Sequence, residues 1–331
     1  RICNQTSHEQ IAEGNVSGHT AWTKIGYTPT MTTAQSDVWS KAGLYAFPIA
    51  AGQWDVISDN AADLGTVIFT GTDAGGSSTT VSDAGATFNA GTAVEVGDCV
   101  ILDKSGTTPE WGYVTAVAAH TITIGNGFSS GGSASGRTYH VIDKNTAGKT
   151  GAHAVKIEYL NGSYVSDTEI VILNGASAVD TVATDLYRVN SFRVIAAGSG
   201  EAAVGNVSLR VKGGATTYSY ITAGYTRARN SAYTVPAGKT LYVKEVSVSY
   251  ATSGSPNKEY CRLWTRANIE PQTRLRTGSM FYTYSEILAQ NVTTVLRLPI
   301  PTKLEAKTDI KISGIASAAG IATSVLRGWL E

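Results

Sequence analysis

The sequence predicts an all-β protein, a jelly-roll-like β-sandwich body carrying a small inserted β-barrel-like domain. Three observations point there. Apolar residues alternate at a period of two through much of the chain. Glycine, asparagine and proline turns separate those runs. No stretch shows the spacing of an amphipathic helix. Composition agrees, with 35 glycines, 2 methionines and 16% charged residues in 331.

Residues 1–20 are polar and aperiodic, and are expected as an extended arm. Aromatic residues follow in quick succession at 21–27 and 38–48, fitting short strands or irregular segments packed on a sheet. Residues 71–92 are almost all small or polar. Beyond them, strand-like runs cover 94–102, 111–117, 121–124 and 138–142, with a second Gly/Ser stretch at 125–136. Four short strands with tight turns suggest a barrel of SH3-like size. The low-complexity flanks suggest that it is an insertion, since exposed loops tolerate such material best. A plain continuation of one large sheet is the competing reading. The expected division is an arm at 1–20, a body at 21–70 plus 151–331, and an inserted domain at 71–150.

From residue 153 the rhythm is regular. Val155, Ile157 and Tyr159 alternate, Asn161-Gly162 makes a hairpin turn, and Tyr164 opens the return strand toward 170–173. Asn174-Gly175 ends that strand. Further strands are expected near 187–195, 207–211, 218–222, 260–265, 294–298, 310–315 and 324–330. Between them, SAYTVPAGKTLYVKEVSVSYA at 231–251 reads as a Pro/Gly turn and a long strand. Its Val246, Val248 and Tyr250 point one way, and Glu245, Ser247 and Ser249 the other.

Composition also bounds function. Twenty-six basic residues balance 26 acidic ones, so no net field attracts nucleic acid or an anionic membrane. No apolar run reaches the ~18–20 residues of a membrane helix. Cys3, Cys99 and Cys261 are scattered, form no CxxC, and leave room for one disulfide at most. His8, His19, His120, His140 and His153 have no metal-ligand spacing. No metal and no cofactor are therefore expected. The chain opens at Arg1 rather than methionine, as after removal of a leader or omission of a disordered start.

Five phrases follow one another in a characteristic order. WTKIGYTPTMTTAQSDVW and AGLYAFP lie at 22–48; HAVKIEYLNGSYVSDTEIVILNG lies at 153–175. LYRVNSFRVIAAGSG at 186–200 and SAYTVPAGKTLYV at 231–243 follow. Together they resemble uncharacterised virion structural proteins of tailed bacteriophages, often marine ones. The resemblance covers 21–68 and 153–330 and steps over 71–150. It implies a virion location, as a head decoration or fibre protein, with major capsid or tail proteins as partners. It offers no catalytic residues.

Candidate chemistry is sparse. Asp167 and Glu169 share a strand face, with Asp180 and Asp185 shortly after, at a spacing a glycosidase pair could use; a solvated strand face gives the same pattern. Gly75-Gly76 and Gly131-Gly132 lack the context of a phosphate loop. No enzymatic activity is expected. The stretch 258–287 is different. Arg262, Arg266, Arg274 and Arg276 supply rigid donor forks, and Tyr260, Trp264, Phe281, Tyr282 and Tyr284 supply large faces with polar tips. These residue types anchor interfaces, so this stretch is the candidate subunit contact of a homo-oligomer. A trimer is favoured because fibres and head decorations of such phages often use threefold symmetry. The alternative function is a carbohydrate-binding receptor module, with Trp111-Gly112-Tyr113 or Tyr218/Tyr220 stacking on sugars.

Overall fold

The computed structural model describes residues 7–91, 93–104, 108–125, 127–128, 136–252, 259–267, 281–289 and 293–331, with 7–9, 267, 282 and 284 traced as backbone only. Strands dominate, arranged in five antiparallel sheets. The described exception is one helix, Ser7–Ala12, where an extended arm was expected. It has a reason to fold: Ile11 is buried where the helix packs on the strand Thr20–Met31. Residues 1–6 of the expected arm lie outside the described residues.

The body contains two face-to-face sheet pairs, each around its own core. In the first, Thr20–Met31, Gly320–Leu330, Leu241–Ala251 and Thr293–Leu304 pair in that order. The facing sheet runs Tyr233–Thr234, Thr308–Ala316, Glu259–Ala267 and Tyr282–Ala289, with Ser36–Asp37 also paired to Thr308–Ala316. Trp22, Val243, Val246, Val248 and Leu326 meet Cys261, Leu263, Ile310 and Ile312 between them. Alternation decides this geometry. Val246, Val248 and Tyr250 are almost fully buried. On the other face Glu245 bonds Arg297 at 3.3 Å and Arg327 at 2.8 Å across both neighbouring strands.

The second pair joins Ser166–Ile172, Ala152–Asn161 and Leu186–Ala197 to a sheet of Val179–Asp180, Trp54–Ser58, Val207–Val211 and Thr217–Ile221. Its core holds Val155, Ile157, Val171 and Phe192 against Trp54, Val56, Leu209 and Ile221. The hairpin after Ala152–Asn161 is longer than a two-residue turn. Asn161 Oδ1 accepts bonds from Ser163 N and Val165 N, and Tyr164 sits in the turn at φ 65°, so the return strand starts at Ser166. Tyr164 tolerates that backbone because its ring is buried edge-on to Tyr187 at 5.2 Å.

Residues 66–143 form a six-stranded sheet ordered Thr66–Thr72, Thr138–Asp143, Cys99–Leu102, Glu110–Val117, Thr121–Ile124, Thr80–Ser82. It has its own core, with Phe88, Val100, Leu102, Ile122 and Tyr139. The expected barrel does not close, because the edge strands Thr66–Thr72 and Thr80–Ser82 do not pair. Their ends are joined beyond the strands instead: Ala74 N donates to Ser82 O at 2.7 Å, and the Asp73 carboxylate accepts from Gly76 N and Ser82 N. The strand expected over 94–102 begins only at Cys99. Gly97 at φ 98° and the Asp98 carboxylate, which accepts from Glu95 N at 2.8 Å, make a turn of the first residues. A separate apolar cluster seats this sheet on the body: Cys99, Ile101 and Ile142 against Ala154, Ile170 and Ile195.

A candidate interface on the Glu259–Ala267 strand

Period two divides Glu259–Ala267 cleanly. Cys261 and Leu263 enter the first core, while Tyr260, Arg262, Trp264 and Arg266 share the opposite face. The register sets their neighbours. Tyr260 lies between Ile315 and Leu288, Arg262 between Ser313 and Glu286, and Trp264 opposite Lys311. Tyr260, Leu288 and Ile315 are respectively 37%, 52% and 39% exposed, so one cross-strand row is apolar and open to solvent. The next row is polar. Arg262 Nε bonds Glu286 Oε1 at 3.0 Å, and the Tyr260 hydroxyl donates to the other Glu286 oxygen.

Toward the other end the face turns inward. Trp264 Nε1 is buried without an acceptor among the described residues. Arg266 Nη2 lies 2.5 Å from Asp309 Oδ2, and its guanidinium stands 4.6 Å over the Phe281 ring and 5.1 Å over Phe47. Phe47 and Phe281 are 5.5 Å apart. Asp309 is fully buried and also holds Arg188 from the second sandwich at 3.0 and 3.2 Å, with Thr234 Oγ1 at 2.5 Å. Beside it, buried Asp37 accepts from Lys311 Nζ at 2.8 Å, from Tyr45 N at 2.6 Å and from the Ser313 hydroxyl.

The structure thus brings Tyr260, Arg262, Trp264, Arg266 and Phe281 to one side of one sheet. Tyr282 and Tyr284 lie on the adjacent strand Tyr282–Ala289, described by backbone alone, and Arg274 and Arg276 lie outside the described residues. Within the stretch 258–287, Tyr282 opens a strand, Tyr282–Ala289, paired to Glu259–Ala267. Sequence reasoning missed Asp309, Lys311, Asp37 and Arg188. A signal existed for two of them: Asp309 and Lys311 alternate with Ile310 and Ile312, placing charge on a face that a neighbouring loop covers.

Other candidate residues make local contacts. Glu169 is buried and accepts from Val182 N at 2.7 Å and Ala183 N at 3.1 Å, while burial pushes its pKa up. Asp167 accepts from Thr168 N at 2.7 Å. Trp111 is flanked by Lys156 and Arg193, 5.2 and 5.1 Å from its ring, and packs where the small sheet meets the body. Tyr218 stacks on buried Trp54 at 5.0 Å. Among the described residues, Cys99 and Cys261 are buried and unbridged, no group of His, Cys, Asp or Glu is placed to hold a metal, and no helix is long and apolar enough to cross a membrane. A cleft of about 590 Å³ lies between the two sandwiches. Lys24 lines it and donates to Asn190 O, and burial lowers its pKa to about 8 against the opposing pull of Glu158.

No protein-family model matches the chain, and no curated protein matches it. Among solved structures, VP17, a capsid protein of bacteriophage P23-77, aligns over 95% of this chain and 97% of its own at 10% identity, with a TM-score of 0.13. Likeness at that level carries no argument about fold or function.

Proposed function

We propose that this chain is a non-enzymatic structural component of a bacteriophage virion, a head decoration or stabilising protein or a fibre component, acting as a homo-oligomer with a trimer favoured. The observation that carries the reading is the sheet face of Glu259–Ala267. It sets an open apolar row, Ile315–Tyr260–Leu288, beside an Arg262–Glu286 pair, the mixture of aromatic anchor and polar rim that subunit contacts use. The order of the phrases at 22–48, 153–200 and 231–243 supports the virion class.

The bonding of the buried carboxylates supports a structural interior over a reaction centre. Asp63 accepts from Ser58, Ala152, Val204 and Gly205, and Asp55 from Arg210 and Gly213, so both tie segments distant in sequence. Trp111 and Tyr218 pack against neighbours, which weighs against sugar stacking at those two positions, while Tyr113 is 48% exposed with its hydroxyl on Ile195 O. The test is peptide mass spectrometry on purified particles of the encoding phage. Stoichiometric copies per particle are expected. Absence from particles, or hydrolysis of a polysaccharide by the purified protein, would overturn the assignment.

A further inference from the structure

A cavity of about 450 Å³ opens beside the interface strand, walled by Leu44, Tyr45, Phe47 and Phe281 and floored by Arg266 and Lys311. Among the described residues, its floor belongs to a charged cluster that does not balance. Arg188, Arg266 and Lys311 are three cations, each no more than 13% exposed, and they face two carboxylates, Asp37 and Asp309.

The acceptors are nearly full while the donors are not. Asp309 Oδ1 takes Arg188 Nε and Thr234 Oγ1, and Oδ2 takes Arg188 Nη2 with Arg266 Nε and Nη2. A carboxylate offers about four lone-pair sites, so Asp309 has no capacity left. Asp37 takes three bonds, from Lys311, Ser313 and Tyr45 N, and so keeps about one site. Lys311 has three donors and one such bond, and Arg266 has five donors and two, both to Asp309. The surplus lies at Arg266, since Arg188 already forms a two-pronged pair with Asp309. An independent sign of donor excess lies two residues away on the same face, where Trp264 Nε1 is buried with no acceptor among the described residues. A buried cation without its own counter-charge is costly, and this one borders an opening.

We propose that this cavity binds a carboxylate, presented by an acidic side chain or chain terminus of a neighbouring protein chain. The single surplus charge suits a monoanion; a phosphate would over-neutralise it. The walls suit a carboxylate carried on apolar carbon, with the Phe47 and Phe281 rings against the stem and Arg266 and Lys311 on the oxygens. That a neighbouring chain supplies the group rests on the virion reading, but affinity for the group does not. A probe that binds a protein absent from particles would therefore separate the two.

The experiment is thermal melting of the purified protein with N-acetyl-phenylalanine, a chain-terminus mimic, and with N-acetyl-glutamate α-amide, a side-chain mimic. N-acetyl-phenylalaninamide and sulfate at equal ionic strength are the controls. A saturable rise in melting temperature with either acid is expected, the tighter acid identifying the source, and neither control should match it. Arg266→Gln should weaken the response at least tenfold. Leu44 is 63% exposed, so Leu44→Glu should fold normally and compete from the rim, weakening the response even if Arg266→Gln fails to fold. The proposal is overturned if the amide or sulfate matches the acids, if no saturable rise occurs, or if a folded Arg266→Gln responds as wild type does.

Discussion

Arg188 and Asp309 stand 121 positions apart in the chain and form a two-pronged ion pair, at 3.0 and 3.2 Å, that ties one sandwich to the other. Arg188 comes from Leu186–Ala197 of the second sandwich and Asp309 from Thr308–Ala316 of the first. Arg188 also donates to Pro48 O at 2.7 Å and lies 4.0 Å over the Tyr187 ring, so its orientation is fixed from several sides.

Removing the carboxylate leaves two buried guanidinium groups uncompensated. Asp309→Ala is expected to cost about 3–5 kcal/mol in denaturant unfolding. Arg266→Gln should cost about 1 kcal/mol or less, since Asp309 keeps Arg188 and Thr234 and the cluster becomes balanced. Equal losses in the two variants would show that Arg266 is as structural as Arg188.

Glu259 makes stability depend on pH. It starts the interface strand but faces the core, is 0% exposed, and both carboxylate oxygens lack a partner among the described residues. Burial pushes its pKa up from 4.5 to about 7, opposed weakly by the adjacent Cys261 thiol. The folded state therefore holds a proton that the unfolded chain releases, and stability falls as pH rises from about 4.5 to about 7. The loss is on the order of 3 kcal/mol. Glu259→Gln should flatten that part of the profile. An unchanged slope in the variant would assign the effect elsewhere.

The sheet at 66–143 is expected to be separable. It has its own core, and both of its bounding strands, Thr66–Thr72 and Thr138–Asp143, pair with each other. Replacing 66–143 with a short flexible linker should leave a cooperative melt, at a lower temperature because Ile170 and Ile195 lose their apolar cover. A melt without cooperativity would make the sheet part of one folding unit.

How much of this was legible in the sequence depends on the kind of interaction. Period-two alternation set Val246, Val248 and Tyr250 on one side of their strand, and that side is the buried one; the common face of Tyr260, Arg262, Trp264 and Arg266 came only with the strand Glu259–Ala267. Turn chemistry was less readable. Gly97 and Asp98 cut short the run from Val94, and Tyr164 joined the turn, because side-chain bonds to the backbone overrode β-propensity. The division of the body into two cores was not visible, since alternation reveals that a face is buried but not against which sheet. Nor was the Asp309 cluster, whose partners at 188, 234 and 266 meet only through tertiary packing.

The claim that the Tyr260 face is a subunit boundary is tested most directly by the mass of the protein in solution. Multi-angle light scattering should give wild type three times the 34.6 kDa chain mass. Leu288→Asp buries a charge in the apolar row if the face is covered, and Tyr260→Ala removes its anchor; each should weaken assembly by about 2 kcal/mol or more. Both residues are solvent-facing in the single chain, so both variants should keep the wild-type melt when monomeric. Trp264→Ala with Phe281→Ala should act in the same direction, with an added loss of chain stability from their partly buried rings. The mass is expected to drop toward that of one chain in Leu288→Asp. A wild type that stays monomeric at high concentration, or an oligomer whose mass Leu288→Asp and Tyr260→Ala leave unmoved, would contradict it.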